Sequence, residues 1–285
     1  MSVLRFTRED RSRQLYLGIL LTVLLLAVIG PWIVPYEADE YNFDESGDLR
    51  AAESPSVDHP LGTTATGFDV LTRLVIGARP TIITGVLGGL TLITIGSVIG
   101  ITAGYKGGTV DNVLMRFTDL VYGIPLIPFA IVLVAFFGTG FFQTIFIIGA
   151  VLWRGSARVL RSQVLQIKER EFILAVKAEG GGSLYVIRNH IVPNILPMMA
   201  FFFAVGMGAT IIIQAGLSFI GVSNPFVPSW GIMIRNAFDA GHIDSWWWSL
   251  PPGILISAIV YSSIMLGRSI ESTDESNETE GLTGV

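Results

Sequence analysis

At 285 residues, with 51% hydrophobic and only 14% charged residues, the chain holds far fewer charges than the roughly one quarter found in soluble domains. Its apolar residues come in long runs that do not alternate with polar ones, which excludes a soluble globular protein and makes lipid the solvent. The net charge of -5 is unevenly distributed, and the absence of cysteine excludes disulfides, thiolate metal sites and a thiol nucleophile.

A basic tail, 1–14, precedes the first apolar run, 15–34, which at about 20 residues matches a hydrocarbon core of about 30 Å. That run ends at Pro31, Trp32 and Pro35 without a small-residue cleavage pattern, so 15–35 is expected to be a retained anchor. Residues 36–79 turn polar and acidic, with Glu37, Asp39, Glu40, Asp44, Glu45, Asp48, Glu53 and Asp58, and are expected to form an extramembrane loop. Further spans are predicted at 80–104, 113–137, 141–155, 195–222 and 246–267, which makes an all-α membrane protein with six transmembrane helices. In the second, Gly85, Gly88, Gly89, Gly96 and Gly100 have the spacing that lets helices approach closely. Pro125 and Pro128 in the third mark either an unwound segment or an ordinary kink. The acidic tail, 269–285, is rich in serine and threonine beyond Glu271 and is expected to be disordered there.

Lys and Arg set the orientation, because basic residues beside spans are retained in the cytoplasm. With six spans, Arg50, Arg73, Arg79 and Arg235 fall on one side and the other basic residues of the 18 on the opposite side. Both termini are therefore expected in the cytoplasm, with 36–79 and 223–245 facing outward. Trp246, Trp247 and Trp248, beside Asp244 at the outer end of the last span, read as a headgroup belt or as a docking point for an external partner. No span centre carries a clear ionisable residue, which argues against an ion-coupled secondary carrier. His59, His190 and His242 lie far apart without metal-ligand spacing. No nucleophile elbow occurs, so no enzyme activity is expected.

Residues 155–194 are basic, amphipathic and too polar to enter lipid. A connection of that length in a compact bundle usually has a function. Val164, Ile167, Phe172, Val176 and Leu184 recur at roughly helical spacing, and Gly180, Gly181 and Gly182 interrupt them, which predicts helix, glycine turn, helix. Such a segment either lies on the membrane surface or docks into a partner's groove.

The order Ala175-Val176-x3-Gly180-x9-His190-Ile191-Val192-Pro193 resembles the EAA loop of binding-protein-dependent ABC importer permeases, where E-A-A-x3-G precedes nine residues and I-x-L-P. Leu174 stands where that family has its glutamate, Val176 replaces the second alanine, and Val192 replaces the leucine before Pro193. His59-Pro60-Leu61-Gly62-Thr63, Asp69-Val70-Leu71, Gly77-Ala78-Arg79, Ala215-Gly216-Leu217-Ser218-Phe219 and Pro228-Ser229-Trp230-Gly231 are similar to motifs of its dipeptide, oligopeptide and nickel branch. The resemblance covers about residues 15–268.

It implies a type I importer fold, with 80–268 as the transmembrane domain and the EAA-like helix as a cytoplasmic coupling helix. The implied function is permease subunit in the plasma membrane, passing peptides, or alternatively nickel or another small solute. Its implied partners are a second permease chain, two cytoplasmic ATPase subunits, an extracellular solute-binding protein and the lipid bilayer, with no nucleic acid. The residues expected to carry coupling are Phe172, Leu174, Ala175, Val176, Ala178, Gly180, Ser183, His190 and Pro193. A Walker A loop needs lysine followed by Ser or Thr, yet Lys106 precedes Gly, Lys168 precedes Glu and Lys177 precedes Ala. ATP and magnesium are therefore expected in partner subunits, with no cofactor in this chain.

Overall fold

The computed structural model describes residues 2–242 and 245–283, with side chains described for 11–242 and 245–270. Asp244 and the side chains of Arg5 and Arg8 lie outside the described residues. Helices account for nearly all regular structure: α1 (Ser2–Ile33), α2 (Val70–Lys106), α3 (Gly108–Tyr122), α4 (Leu126–Phe137), α5 (Phe141–Leu152), α6 (Arg154–Ile167), α7 (Glu171–Ala178), α8 (Ser183–Val186), α9 (Val192–Phe219), α10 (Trp230–Asp239) and α11 (Trp246–Thr283). A π-helical turn, Ile187–Ile191, joins α8 to α9. Among the described residues four stretches are long and apolar enough to cross a bilayer: Arg11–Ile33, Val70–Lys106, Ser183–Phe219 and Trp246–Ile270.

The expected third span, 113–137, is instead broken. Between α3 and α4 the axis turns by 88°, because Gly123 ends α3 and Pro125 takes an extended backbone (φ -67°, ψ 120°). Ile124, as the residue before a proline, is disfavoured in the helical region. Pro128 falls in the first turn of α4, where its missing N–H is unneeded. The expected fourth span is the 12-residue α5, and Trp153 keeps right-handed helical angles (φ -59°, ψ -22°), so the chain turns directly into α6.

α2 also begins ten residues before the expected span. Residues 70–79, read above as loop, are helical because the Asp69 carboxylate accepts the Thr72 backbone N–H and caps the first turn. Arg73 and Arg79 made that turn look extramembrane. At the other end of the chain α11 runs on to Thr283, so the backbone expected to be disordered beyond Glu271 is helical that far. Extending an existing helix is cheap compared with nucleating one. Residues 284–285 lie outside the described residues.

α2 is the central post. One part of it packs on α9 and the later part on α6, while α1 and α11 pack against each other and α10 against α9 and α11. The glycines of α2 make these crossings possible: Gly85, Gly88 and Gly89 face Met207, Thr210 and Phe203 of α9, and Gly96, Gly100 and Gly104 face Ser156, Ala157 and Arg161 of α6. A Cβ on Gly100 would lie 2.6 Å from the Ala157 carbonyl oxygen, closer than backbone can tolerate. The small-residue stripe seen in the sequence is thus a packing surface.

Residues 34–69 fold over the end of the bundle where α2 begins. His59 and Asp69 are buried there, 2% and 1% exposed, with the imidazole Nδ1–H donating to Asp69 Oδ2 at 2.9 Å. Tyr36 lies over the His59 ring. His59→Ala leaves one oxygen of a buried carboxylate without its partner, a loss of about 1–3 kcal/mol or more. Thermal unfolding of the purified variant, with limited proteolysis of 36–58, is expected to register that loss; native melting and native protease resistance would refute it.

Candidate functional site

The segment between α5 and α9 is built from two buried anchors and an exposed face. α6 is amphipathic, with Ala157, Leu160, Val164 and Ile167 buried against α2 and its neighbours. Lys168, just after α6, donates to the Gly104 carbonyl at 3.0 Å, where a cation is favourable near the end of α2. The chain then reverses into α7. Ile173 is fully buried in the cluster formed by Leu160, Val164, Val186 and Ile191, and Val176 packs beside it. Lys177 reaches back over the Tyr105 ring of α2, 5.5 Å from its centroid.

The turn follows from its glycines. Gly180 has φ +90°, a left-handed conformation that non-glycine residues rarely adopt, and its N–H bonds the Lys177 carbonyl. Gly181 donates to the Val176 carbonyl at 2.9 Å, and a Cβ on it would sit 2.8 Å from that oxygen. Helix, glycine turn, helix is therefore observed, but the second helix is not a separate short piece. From Ser183 the chain winds through α8, the π turn and α9 as one helical stretch ending at Phe219. The π turn, with Val192 N–H bonded to the Ile187 carbonyl, precedes Pro193, whose missing N–H would otherwise break an α-helical ladder.

Of the sequence-predicted residues, Phe172, Leu174, Ala175, Ala178, Gly180, Ser183 and Pro193 are exposed, while Val176 and His190 are half-buried. Phe172 (40%), Leu174 (49%), Leu184 (78%) and Tyr185 (54%) leave large apolar side chains uncovered around the turn. The His190 ring lies between Phe172 and Tyr185, at 6.4 and 5.6 Å, and Asn194 Nδ2 donates to the His190 carbonyl. Phe172 and Leu184 thus face outward and do not line a buried face as their spacing suggested. The inward anchors are Ile173 and Val186, which that spacing did not single out. Ile173 and Val176, three apart, do have helical spacing, but an eight-residue helix is too short for the pattern to distinguish one face.

The three tryptophans divide. Trp246 is exposed, Trp247 is half-buried against Gly62, and Trp248 is buried at 3%. Trp230, read above only as part of the Pro228-Ser229-Trp230-Gly231 motif, is fully buried, and its Nε1–H donates to the Leu74 carbonyl at 2.8 Å and ties α10 to α2. Its signal was the Ser229 start followed by Trp230, Met233 and Ala237 at helical spacing, all buried. Among the described residues no group of three or more His, Asp or Glu side chains could hold a metal ion.

Residues 96–272 match the family model described as the binding-protein-dependent transport system inner membrane component. The chain is 34% identical over 94% of its length to the dipeptide transport system permease protein DppC of Bacillus subtilis, covering 82% of that protein. It is 32% identical over 85% of its length to the oligopeptide transport system permease protein OppC of Haemophilus influenzae, covering 77%. With the glutathione transport system permease protein GsiD of Pectobacterium atrosepticum it shares 33% identity over 76% of its length and 72% of the relative's. An all-helical chain with several bilayer-length apolar helices and these matches belongs to the family of binding-protein-dependent transport system inner membrane components, as a membrane-embedded permease subunit.

Proposed function

We propose that this permease crosses the membrane six times with both termini in the cytoplasm, passes peptides or similar small solutes inward, and draws its energy from ATPase subunits docked on α7. The six crossings are α1, α2, the bent pair α3–α4, α5 with the start of α6, the 183–219 stretch and α11. The concentration of Lys and Arg on the side of α6 and α7 supports this orientation. Relatives named for dipeptide, oligopeptide and glutathione transport support the solute class.

The observation that carries the docking assignment is the uncovered apolar group made by Phe172 and Leu174 on α7, pinned from behind by Ile173, together with Leu184 and Tyr185 across the glycine turn. Apolar side chains clustered in a basic, polar surrounding are characteristic of a protein interface. Because the helix after the turn continues into a crossing, displacement of the docked turn moves that crossing as a rigid body. A second permease chain completes the pathway, an external binding protein delivers solute, and ATP with magnesium resides in the ATPase subunits.

The test is ATP hydrolysis by the complete complex in proteoliposomes, native against Gly180→Pro. Proline fixes φ near -65° and removes the N–H bonded to Lys177. Solute-stimulated hydrolysis is expected to fall at least about tenfold with the ATPase subunits still bound, the loss of about 1.4 kcal/mol of coupling energy. Full stimulation in Gly180→Pro would overturn the assignment.

A further inference from the structure

α6 has two working faces. One is the apolar face held by α2 and the α7 anchor Ile173. The other carries Arg154, Arg158 and Arg161 at i, i+4 and i+7, one stripe of the helix, and every one of these arginines grips α3. Arg161 makes a two-pronged contact with Asp111, Nε to Oδ1 and Nη2 to Oδ2, each 2.5 Å, and Asp111 is only 12% exposed. Arg158 bonds Asp119 and lies 4.7 Å from the centre of the Tyr122 ring. Arg154 donates to the Val121 carbonyl at 3.1 Å and lies 5.0 Å from the same ring. Trp153 stacks on Phe117, centroids 5.9 Å apart and planes 17° apart. Together these contacts form a ladder between α6 and α3.

The uppermost rung falls at the 88° break. Val121 and Tyr122 are the last residues of α3 before Gly123, Ile124 and Pro125. Beyond the break the attachment changes: α4 packs through Ala130 against Ile148 of α5 and Leu217 of α9, an apolar contact. The two arms of the bent crossing therefore rest on different neighbours, α3 on α2 and α6, and α4 on α5 and α9. Arg154 supplies a second donor to the Val121 carbonyl, which also accepts the Ile124 N–H at 3.2 Å, so the end of α3 is tied to α6.

We infer that Arg154, Arg158 and Arg161 are positioning residues that carry displacement of α6 and α7 to α3, so that they set the angle of the bend at 123–125 during transport. The inference rests on the proposed docking of ATPase subunits at α7. Guanidinium groups suit the task, because a planar fork held by a carboxylate on one helix and stacked on an aromatic ring resists both sliding and rotation. The break supplies the compliance: Gly123 and Ile124 still bond back to Asp119 and Val121 of α3, but Pro125 has no N–H and α4 starts its own ladder with Phe129 on the Pro125 carbonyl, so a change of angle is absorbed there that intact helix would not accept.

The chain has no cysteine, so Leu120→Cys and Val132→Cys, both at exposed positions on the two arms, report the bend by spin-label distances in the complete complex. In the otherwise native protein the distance distribution is expected to shift between nucleotide-free and ATP-bound states. With Arg154→Gln the shift is expected to disappear and solute uptake per ATP to fall at least about fivefold, while the ATPase subunits co-purify in native ratio. Asp111→Asn with Arg161→Gln removes both charges together, avoiding a stranded buried charge, and is expected to reproduce that loss in a folded complex. A native nucleotide-dependent shift and native uptake per ATP in both variants would overturn the inference. Failure of the docking assignment has a separate signature, unchanged ATPase recovery with Phe172→Asp, Leu174→Asp permease, and it would overturn the ladder too by removing its input.

Discussion

Phe172→Asp combined with Leu174→Asp is expected to strip the ATPase subunits from the purified permease while leaving the permease folded. Both side chains are 40–49% exposed, so the substitutions add charge where water already reaches and do not open the core. Burying each such apolar side chain in a partner's groove contributes about 1.5–3 kcal/mol, and a carboxylate forced into the same groove adds a desolvation cost. The pair is therefore expected to weaken association by at least about a hundredfold, since every 1.4 kcal/mol is about tenfold in affinity. Co-purification from detergent, with quantified subunit ratios, measures it. Ile173→Asp supplies the contrast: that side chain is fully buried, so its replacement is expected to unfold the segment itself, visible as protease cleavage at α7. Native ATPase recovery in the exposed-face variant would exclude this surface as the docking site.

Gly100→Leu is expected to cause a large loss of stability. Its new Cβ meets the Ala157 carbonyl at 2.6 Å, the Leu160 Cβ at 3.1 Å and the Arg161 N at 3.2 Å. Two of those contacts are backbone, which no side-chain rotation can relieve, so α6 must move away from α2. Overpacking of this kind typically costs about 1–3 kcal/mol, and more where backbone must shift. Separation of α6 from α2 also disturbs the cluster that anchors Ile173. The expected result is a large drop in melting temperature, with loss of ATPase recovery in the fraction that remains folded. Gly18→Leu is the control, because a Cβ at Gly18 meets nothing within 4 Å; it is expected to be neutral or to gain slightly in helix propensity. Equal stability of the two variants would refute the close approach at Gly100.

Features that depend on residues close together in the chain are legible in the sequence. The interruption at Gly180 can be read because only glycine readily takes a positive φ, and the close-packed stripe of α2 because five glycines stand at helical spacing. Features that join distant parts of the chain are not legible in this way. Asp111 and Arg161 are 50 residues apart and Trp230 bonds a carbonyl 156 residues away, and neither pair leaves a local pattern. The break at 123–125 is half legible: Pro125 marks the place, but a proline in a span is compatible with a kink or with an unwound turn, and the neighbours that accept the freed backbone decide between them. α10 escapes notice because ten residues between two apolar runs carry too few turns for periodicity to stand out.

By itself, the sequence determined that this protein lives in lipid, that its apolar runs are helical and that a helix–glycine–helix segment interrupts them. Those are consequences of composition and short-range stereochemistry, which each stretch of chain expresses alone. Only the tertiary structure decided which side of α7 is anchored and which is left exposed, that the helix after the turn runs on as one apolar stretch of bilayer length, and that three arginines of α6 hold α3. The reason is that burial and pairing are properties of two surfaces at once, and the second surface in each case comes from residues far along the chain.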